Sequence, residues 1–168
     1  MTISTVSKKW IFSIKIKLTG EPISTVSSVF HLSSDVGPDD HTLHDPNKLV
    51  DAVMTHNSSQ MRLRYASKGA HEFLGAIILL RQIWITIEVS QIEIESVNKL
   101  VWRVDGNVVN TKTITNPQMW NDVNIYVSNK LMNATTGMYK DLNFTTFDNS
   151  KFVDIHFYNY KYLNPYPV

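Results

Sequence analysis

The sequence predicts an all-β fold, an antiparallel sandwich of the jelly-roll kind, and three observations carry the prediction. Several short segments alternate apolar and polar residues with period two, turn signals separate them at near-regular spacing, and neither a long helical pattern nor an internal repeat occurs. Residues 83–95 are the clearest case, with Ile83, Ile85, Ile87 and Val89 alternating with Trp84, Thr86, Glu88 and Ser90. Such alternation buries one face of a strand and wets the other.

Read in order, residues 10–18 form a strand with Trp10, Phe12, Ile14, Ile16 and Leu18 on one face. Lys15 and Lys17 interrupt what would have to be a continuous apolar stretch in a secretory leader. Gly20-Glu21-Pro22 predicts a turn, and residues 26–32 a second strand, followed by a long acidic loop over 33–47. Residues 48–56 fit either a short helix capped by Asp45-Pro46 or a strand, and their strand neighbours favour the strand. Residues 61–65 alternate as a strand ending at a Lys68-Gly69 turn, and 76–80 read as a short, fully buried run. The strand starting at Ile83 changes apolar phase to Ile92 and Ile94, which predicts a bulge near Ser90 and Gln91. A turn over 96–99, a strand over 100–104, an Asp105-Gly106 hairpin and a strand over 108–115 follow. Asn116-Pro117 breaks the pattern, Val123, Ile125 and Val127 restart it, and 138–144 read as a closing strand. Residues 1–150 are therefore one sandwich, and 151–168 an aromatic extension packed on it or on a partner subunit.

Composition narrows the function. The 168 residues carry a formal net charge of +1, with Lys and Arg scattered, so no nucleic-acid partner is expected. Zero Cys removes disulfides, thiolate nucleophiles and Cys-based zinc sites together. No apolar run is long enough to span a bilayer as a helix, since Gly75, Arg81 and Gln82 interrupt residues 73–87. Sequons at Asn57, Asn133 and Asn143 are compatible with a secreted glycoprotein whose leader lies outside this chain.

The order of several segments resembles a known family. W-x-F-x-I-x-I-x-L from Trp10, V-F-H-L-S-S from Val29, M-R-L-R-Y from Met61, W-I-T-I-E-V-S-Q from Trp84, V-W-R-V-D-G-N-V-V from Val101, N-P-Q-M-W-N-D-V-N-I-Y-V-S from Asn116 and G-M-Y-K-D-L-N-F from Gly137 together resemble the concanavalin A-like, laminin-G-like domains of animal extracellular proteins. The resemblance covers residues 10–147. It implies a jelly-roll sandwich, usually non-enzymatic, that binds glycans, proteins or lipophilic molecules, sometimes with calcium.

Three groups of residues are candidates for chemistry. Gln91, Glu93 and Glu95 would share one strand face, as do the carboxylates of retaining glycosidases of this fold, but an amide at Gln91 cannot be the nucleophile. A glycoside hydrolase is thus the least favoured reading, and a solvent-facing acidic edge with Ile92 and Ile94 in the core the simpler one. Asp35, Asp39, Asp40, His41, His44 and Asp45 could ligate calcium, or zinc through the two histidines, although no established spacing is met. Trp10, Trp84, Trp102, Trp120, Tyr158, Tyr160 and Tyr162 could line a ligand pocket, or be core or an oligomer interface. The leading expectation is a secreted, non-catalytic domain binding a carbohydrate, protein or other extracellular ligand through loops at one end. The alternative is a homo-oligomeric carrier of a hydrophobic small molecule, a lipid or a pigment such as a carotenoid.

Overall fold

The computed structural model describes residues 2–19, 26–34, 48–67, 70–127, 133–134, 137–148, 151–157 and 161–163. Their strands in chain order are β1 (Thr2–Val6), β2 (Trp10–Leu18), β3 (Ser27–Ser33), β4 (Lys48–Met54), β5 (Gln60–Ser67), β6 (Ala70–Ile78) and β7 (Ile85–Ile94). Then come β8 (Val97–Val104), β9 (Asn107–Thr113), β10 (Trp120–Val127), β11 (Asn133–Ala134), β12 (Gly137–Asp148), β13 (Lys151–Phe157) and β14 (Lys161–Leu163). They build two sheets: sheet A in the order β1-β10-β3-β4-β5-β6, and sheet B in the order β13-β12-β2-β7-β8-β9. All pairings are antiparallel except β11, which meets β3 in parallel, while β14 pairs with β12. The fold is an antiparallel jelly-roll β-sandwich, as the alternation predicts.

Alternation explains the layers. In β2 every second residue from Trp10 to Leu18 is buried and the others, including Ser13, Lys15 and Lys17, lie half-exposed on the outer face. Facing it, Phe30 and Leu32 on β3, Val50, Ala52 and Met54 on β4, and Met61, Leu63 and Tyr65 on β5 fill the inner side of sheet A. Phe12 meets Phe30 with ring centroids 4.8 Å apart, and Trp10 stacks on Phe144 at 6.2 Å. Each fully buried side chain of this size stabilises by about 1.5–3 kcal/mol.

Several expectations are corrected. Only Leu79 in 76–80 is fully buried: Ile78, at the end of the edge strand β6, is 76% exposed, and Leu80, beyond that strand, is 64% exposed. The register of β7 with β2 and β8 runs unbroken through Ser90 and Gln91, so there is no bulge there. Gln91 continues the inward series of Ile85, Ile87 and Val89, its Nε2 donating to the Lys8 carbonyl at 2.5 Å. Ile92 and Ile94 consequently lie on the outer face, half-buried, and not in the core. The β7–β8 turn is Glu95-Ser96, and β8 begins at Val97. β1 adds a strand beside β10, and the backbone of β13 hydrogen-bonds along β12, so sheet B continues past residue 150.

Real bulges sit elsewhere. In β6 Leu74 is inserted between the pairs Leu63–Gly75 and Arg64–Phe73, which turns both Leu74 and Gly75 inward. In β9 Val109 is inserted between the partners of Trp102 and Arg103. These irregular strands form neighbouring edges of the two sheets, where a bulge discourages pairing with another chain. The edges are tied together: Asn110 Nδ2 donates to the Leu74 carbonyl, and the Lys112 ammonium donates to Glu72 while lying 5.5 Å from the Tyr65 ring centroid.

Two predictions follow from these features. The hydrogen bond to Glu72 raises the Lys112 pKa, and burial raises that of Tyr65. Both groups therefore titrate later folded than unfolded, so their stabilisation is complete below about pH 10 and is lost as pH climbs through the raised values. The melting midpoint should fall more steeply above pH ~10 in the parent than in Lys112→Met; parallel curves would show that the seam does not contribute. At the β7–β8 turn, Glu95 (φ 51°) and Ser96 (φ 62°) both occupy left-handed backbone that Asn-Gly fills with less strain. Glu95→Asn with Ser96→Gly should add about 1 kcal/mol, read as a melting midpoint about 2–4 °C higher.

Candidate functional site

The tryptophans singled out from the sequence are not brought together. Trp10 and Trp102 are completely buried between the sheets, and neither indole N–H has an acceptor among the described residues, so both serve as volume in the core. Trp120 begins β10 in sheet A and packs partly buried against the core. Trp84 precedes β7 and is half-exposed, with the Lys140 ammonium 4.3 Å from its ring centroid. Tyr158 and Tyr160 lie outside the described residues, and the backbone of Tyr162 pairs with Met138. Asp35, Asp39, Asp40, His41, His44 and Asp45 also lie outside them. Among the described residues no group of three His, Asp or Glu side chains could hold a metal ion.

Gln91, Glu93 and Glu95 are dispersed. Gln91 is buried, Glu93 pairs with Lys9 at 2.9 Å, and Glu95 is carried out of the strand by the hairpin turn. The three do not project from one face, so the paired-carboxylate geometry needed for glycoside hydrolysis is absent at these positions.

Antiparallel register instead assembles a polar surface on the outer face of sheet B. Across it, Lys140 lies opposite Lys15, and Lys15 opposite Thr86. The next row is Asn143, Ser13, Glu88 and Arg103, and the next Thr145, Ile11, Ser90 and Val101. Within these rows Arg103 Nη1 donates to Glu88 at 2.6 Å and to Ser90 Oγ at 3.3 Å. Neighbouring strands lie about 4.8 Å apart; the first two rows carry hydrogen-bonding side chains throughout, whereas the third includes the aliphatic Ile11 and Val101 and the fully buried Ser90.

At the β12 side of these rows the strand carries a bulge. Lys140 pairs with Lys15 and Asn143 with Ser13, leaving Asp141 and Leu142 opposite the single residue Ile14. Leu142 packs against the core, and Asp141 takes φ 49°, a left-handed conformation that Asp tolerates better than most residues. Asp141 Oδ2 accepts from the Lys15 ammonium at 2.9 Å, and its carbonyl accepts from Asn143 Nδ2 at 3.2 Å. A bulge that re-aims one side chain is a common way to build a site on a sheet.

The outer face of sheet A also has a polar cluster, but a more enclosed one. Arg64 Nε donates to Asp51 at 2.8 Å, the two side chains being 15% and 7% exposed, and His31 stacks on Tyr126 with centroids 4.4 Å apart. Lys15 and Asp141 are 41% and 34% exposed, so this ion pair is more open to solvent than that of Asp51 and Arg64. The sequence signal for this face is the S-x-K-x-K series on the wet side of β2. The bulge shows as the uneven apolar spacing Tyr139, Leu142, Phe144 around an Asp.

No family model matches the sequence, and no curated protein matches it. Among solved structures, the chain is similar to tailspike protein 2 of Escherichia coli O157:H7 bacteriophage CAB120, at TM-score 0.53 and 10% identity over 88% of this chain and 21% of the tailspike. It is also similar to the carbohydrate-binding module CBM66 of Bacillus subtilis, with TM-score 0.42, 7% identity, and coverage of 77% and 74%. An alginate lyase of Alteromonas sp. 272 gives TM-score 0.41 and 9% identity over 75% of this chain and 52% of the lyase. The chain thus spans about half of that lyase and a fifth of the tailspike. At these identities the likeness is one of fold.

The bulge can be tested apart from any ligand. Asp141→Gly relieves the left-handed strain and loses only an exposed ion pair, so its urea midpoint should match or exceed the parent's at unchanged m. Asp141→Val, β-branched at the same φ, should lose about 1–2 kcal/mol. Equal destabilisation by both would argue against the left-handed bulge.

Proposed function

We propose that this protein is a non-catalytic carbohydrate-binding domain whose ligand lies across the outer face of sheet B. The observation that carries the proposal is the bulge at Asp141, which sets a carboxylate among Lys15, Ser13 and Asn143 on an open sheet face. Sugar hydroxyls donate and accept at once, and the face offers carboxylate, amide, hydroxyl, ammonium and guanidinium groups in reach of one another. Trp84 at the edge of the same face, with the Lys140 ammonium over its ring, adds an aromatic group to this set. A flat grid also suits an extended chain better than an isolated small molecule, which favours a deep concave pocket. The dispersal of Gln91, Glu93 and Glu95 supports binding over hydrolysis.

Affinity electrophoresis through gels containing soluble plant, algal and bacterial polysaccharides tests the proposal. At least one polymer should retard the parent protein, and Trp84→Ala should weaken that retardation about tenfold, equivalent to about 1.4 kcal/mol. A panel without retardation overturns the proposal. Shortening of a retarding polymer on incubation overturns its non-catalytic part.

A further inference from the structure

Residues 76–84, A-I-I-L-L-R-Q-I-W, are apolar enough for a core segment, yet much of that apolar surface is in water. They run from the end of β6 in sheet A to the approach to β7 in sheet B, and so cross one end of the sandwich. Leu79 fills the core there at 2% exposed, while Ile78, Leu80 and Ile83 are 76%, 64% and 45% exposed. Hydrogen bonds tie the crossing on both sides. Leu79 N donates to the Ser59 carbonyl at 2.9 Å, and Arg81 Nε to Ser59 Oγ at 3.0 Å, in the β4–β5 turn. Gln82, at φ 63°, donates from its backbone N to the Leu18 carbonyl and from Nε2 to the Thr19 carbonyl, both at 2.9 Å. An anchored backbone thus presents three large aliphatic side chains to solvent, and exposed aliphatics gathered in this way mark a contact surface.

The charges beside these side chains are of one sign. Arg62 is exposed and lies opposite Ala76, next along β5 from the partner of Ile78, and Arg81 stands between Leu80 and Ile83. Neither makes an ion pair among the described residues. No carboxylate occurs in 55–67 or 73–87. Of those nearest this end, Asp105 accepts from the Thr86 backbone N, Asp141 pairs with Lys15, Glu88 pairs with Arg103, and Glu21 lies outside the described residues. The acidic segment 35–47 departs after Ser34 and rejoins at Lys48, at the opposite end of β3 and β4 from the Ser27–Met54 pair.

We infer that this end of the sandwich docks on an anionic phospholipid bilayer, with Ile78, Leu80 and Ile83 entering the headgroup region while Arg62 and Arg81 meet lipid phosphates and carboxylates. The inference is independent of the carbohydrate-binding reading, which concerns the outer face of sheet B. A bilayer interface accepts aliphatic side chains one by one, without a matching pocket for each. Long cationic side chains beside them reach its anionic groups while their stems stay on apolar surface. Each cation near an anionic leaflet adds to the attraction, and two guanidiniums without a neighbouring carboxylate give that attraction a single sign.

The test is cosedimentation of the full chain with vesicles of phosphatidylcholine alone, and of phosphatidylcholine with phosphatidylserine at about 2:1. Ile78→Ser with Leu80→Ser removes exposed aliphatics, and Arg62→Gln with Arg81→Gln removes the cations. Val97→Ser with Met119→Ser, and Lys8→Gln with Lys99→Gln, make matched changes at the opposite end of the strands. The parent should sediment with the serine-containing vesicles, about tenfold less with phosphatidylcholine alone, and less as salt is added. Each variant at this end should lower the partition coefficient about tenfold, and each control less than twofold. The aliphatic variant should melt with the parent, because both replaced side chains are exposed, so its loss of binding reports the surface. Sedimentation with neither vesicle, or equal weakening in the end variants and their controls, overturns the inference. Equal binding to both vesicles overturns its anionic part. Dimerisation that Ile78→Ser with Leu80→Ser abolishes, in a parent that binds no vesicle, overturns it in favour of a second copy of the chain.

Discussion

Phe12 on β2 and Phe30 on β3 meet across the sandwich at 4.8 Å, and the placement of other side chains on β2 follows from that contact. With Phe12 inward, Trp10, Ile14, Ile16 and Leu18 must also be inward, and Ser13, Lys15 and Lys17 must face out. A slip of one residue would exchange the two sets, putting two ammoniums into the core, so register is strongly specified. The neighbours β7 and β12 inherit it through their pairing with β2. The polar grid of sheet B is in this sense a by-product of burying the aromatic side of one strand.

A strictly regular sheet would present only what alternation allows, and the chain departs from regularity where it has something to gain. On β6 and β9 the extra residues disrupt edges that would otherwise invite another strand. On β12 the extra residue sits one strand in from the edge strand β13, where edge protection is no explanation. There it sends Leu142 to the core and Asp141 to the opposite face, so that two consecutive residues serve two surfaces.

Much of the fold was legible because burial on one side leaves a period-two record. β2, β3, β5, β8, β10 and the first part of β12 are found where alternation predicts them. β1 was harder, because its five residues include only Ile3 and Val6 as buried positions and those are three apart. Residues 76–80 misled because an apolar run does not state whether its neighbours cover both faces. Phase in β7 misled for a related reason: the inward position passes to Gln91, while Ile92 and Ile94 are apolar on the outside. The site was less legible still. Trp10 and Trp84 look equivalent in sequence, and only the pairing of distant strands separates a core indole from a surface one. Lys15 and Lys140 are 125 positions apart and become neighbours only through the β2–β12 ladder.

The irregularity in β12 also has a genetic meaning. Where two residues stand opposite Ile14, loss of one codon would let the strand pair residue for residue from Lys140 to Asn143, with the flanking side chains still on their present faces. A plain sandwich and one with an added carboxylate on the outer face of β12 are therefore separated by a single in-frame insertion. Such a step leaves the core almost untouched, which makes it an accessible route by which a scaffold acquires, and a lineage discards, a recognition surface.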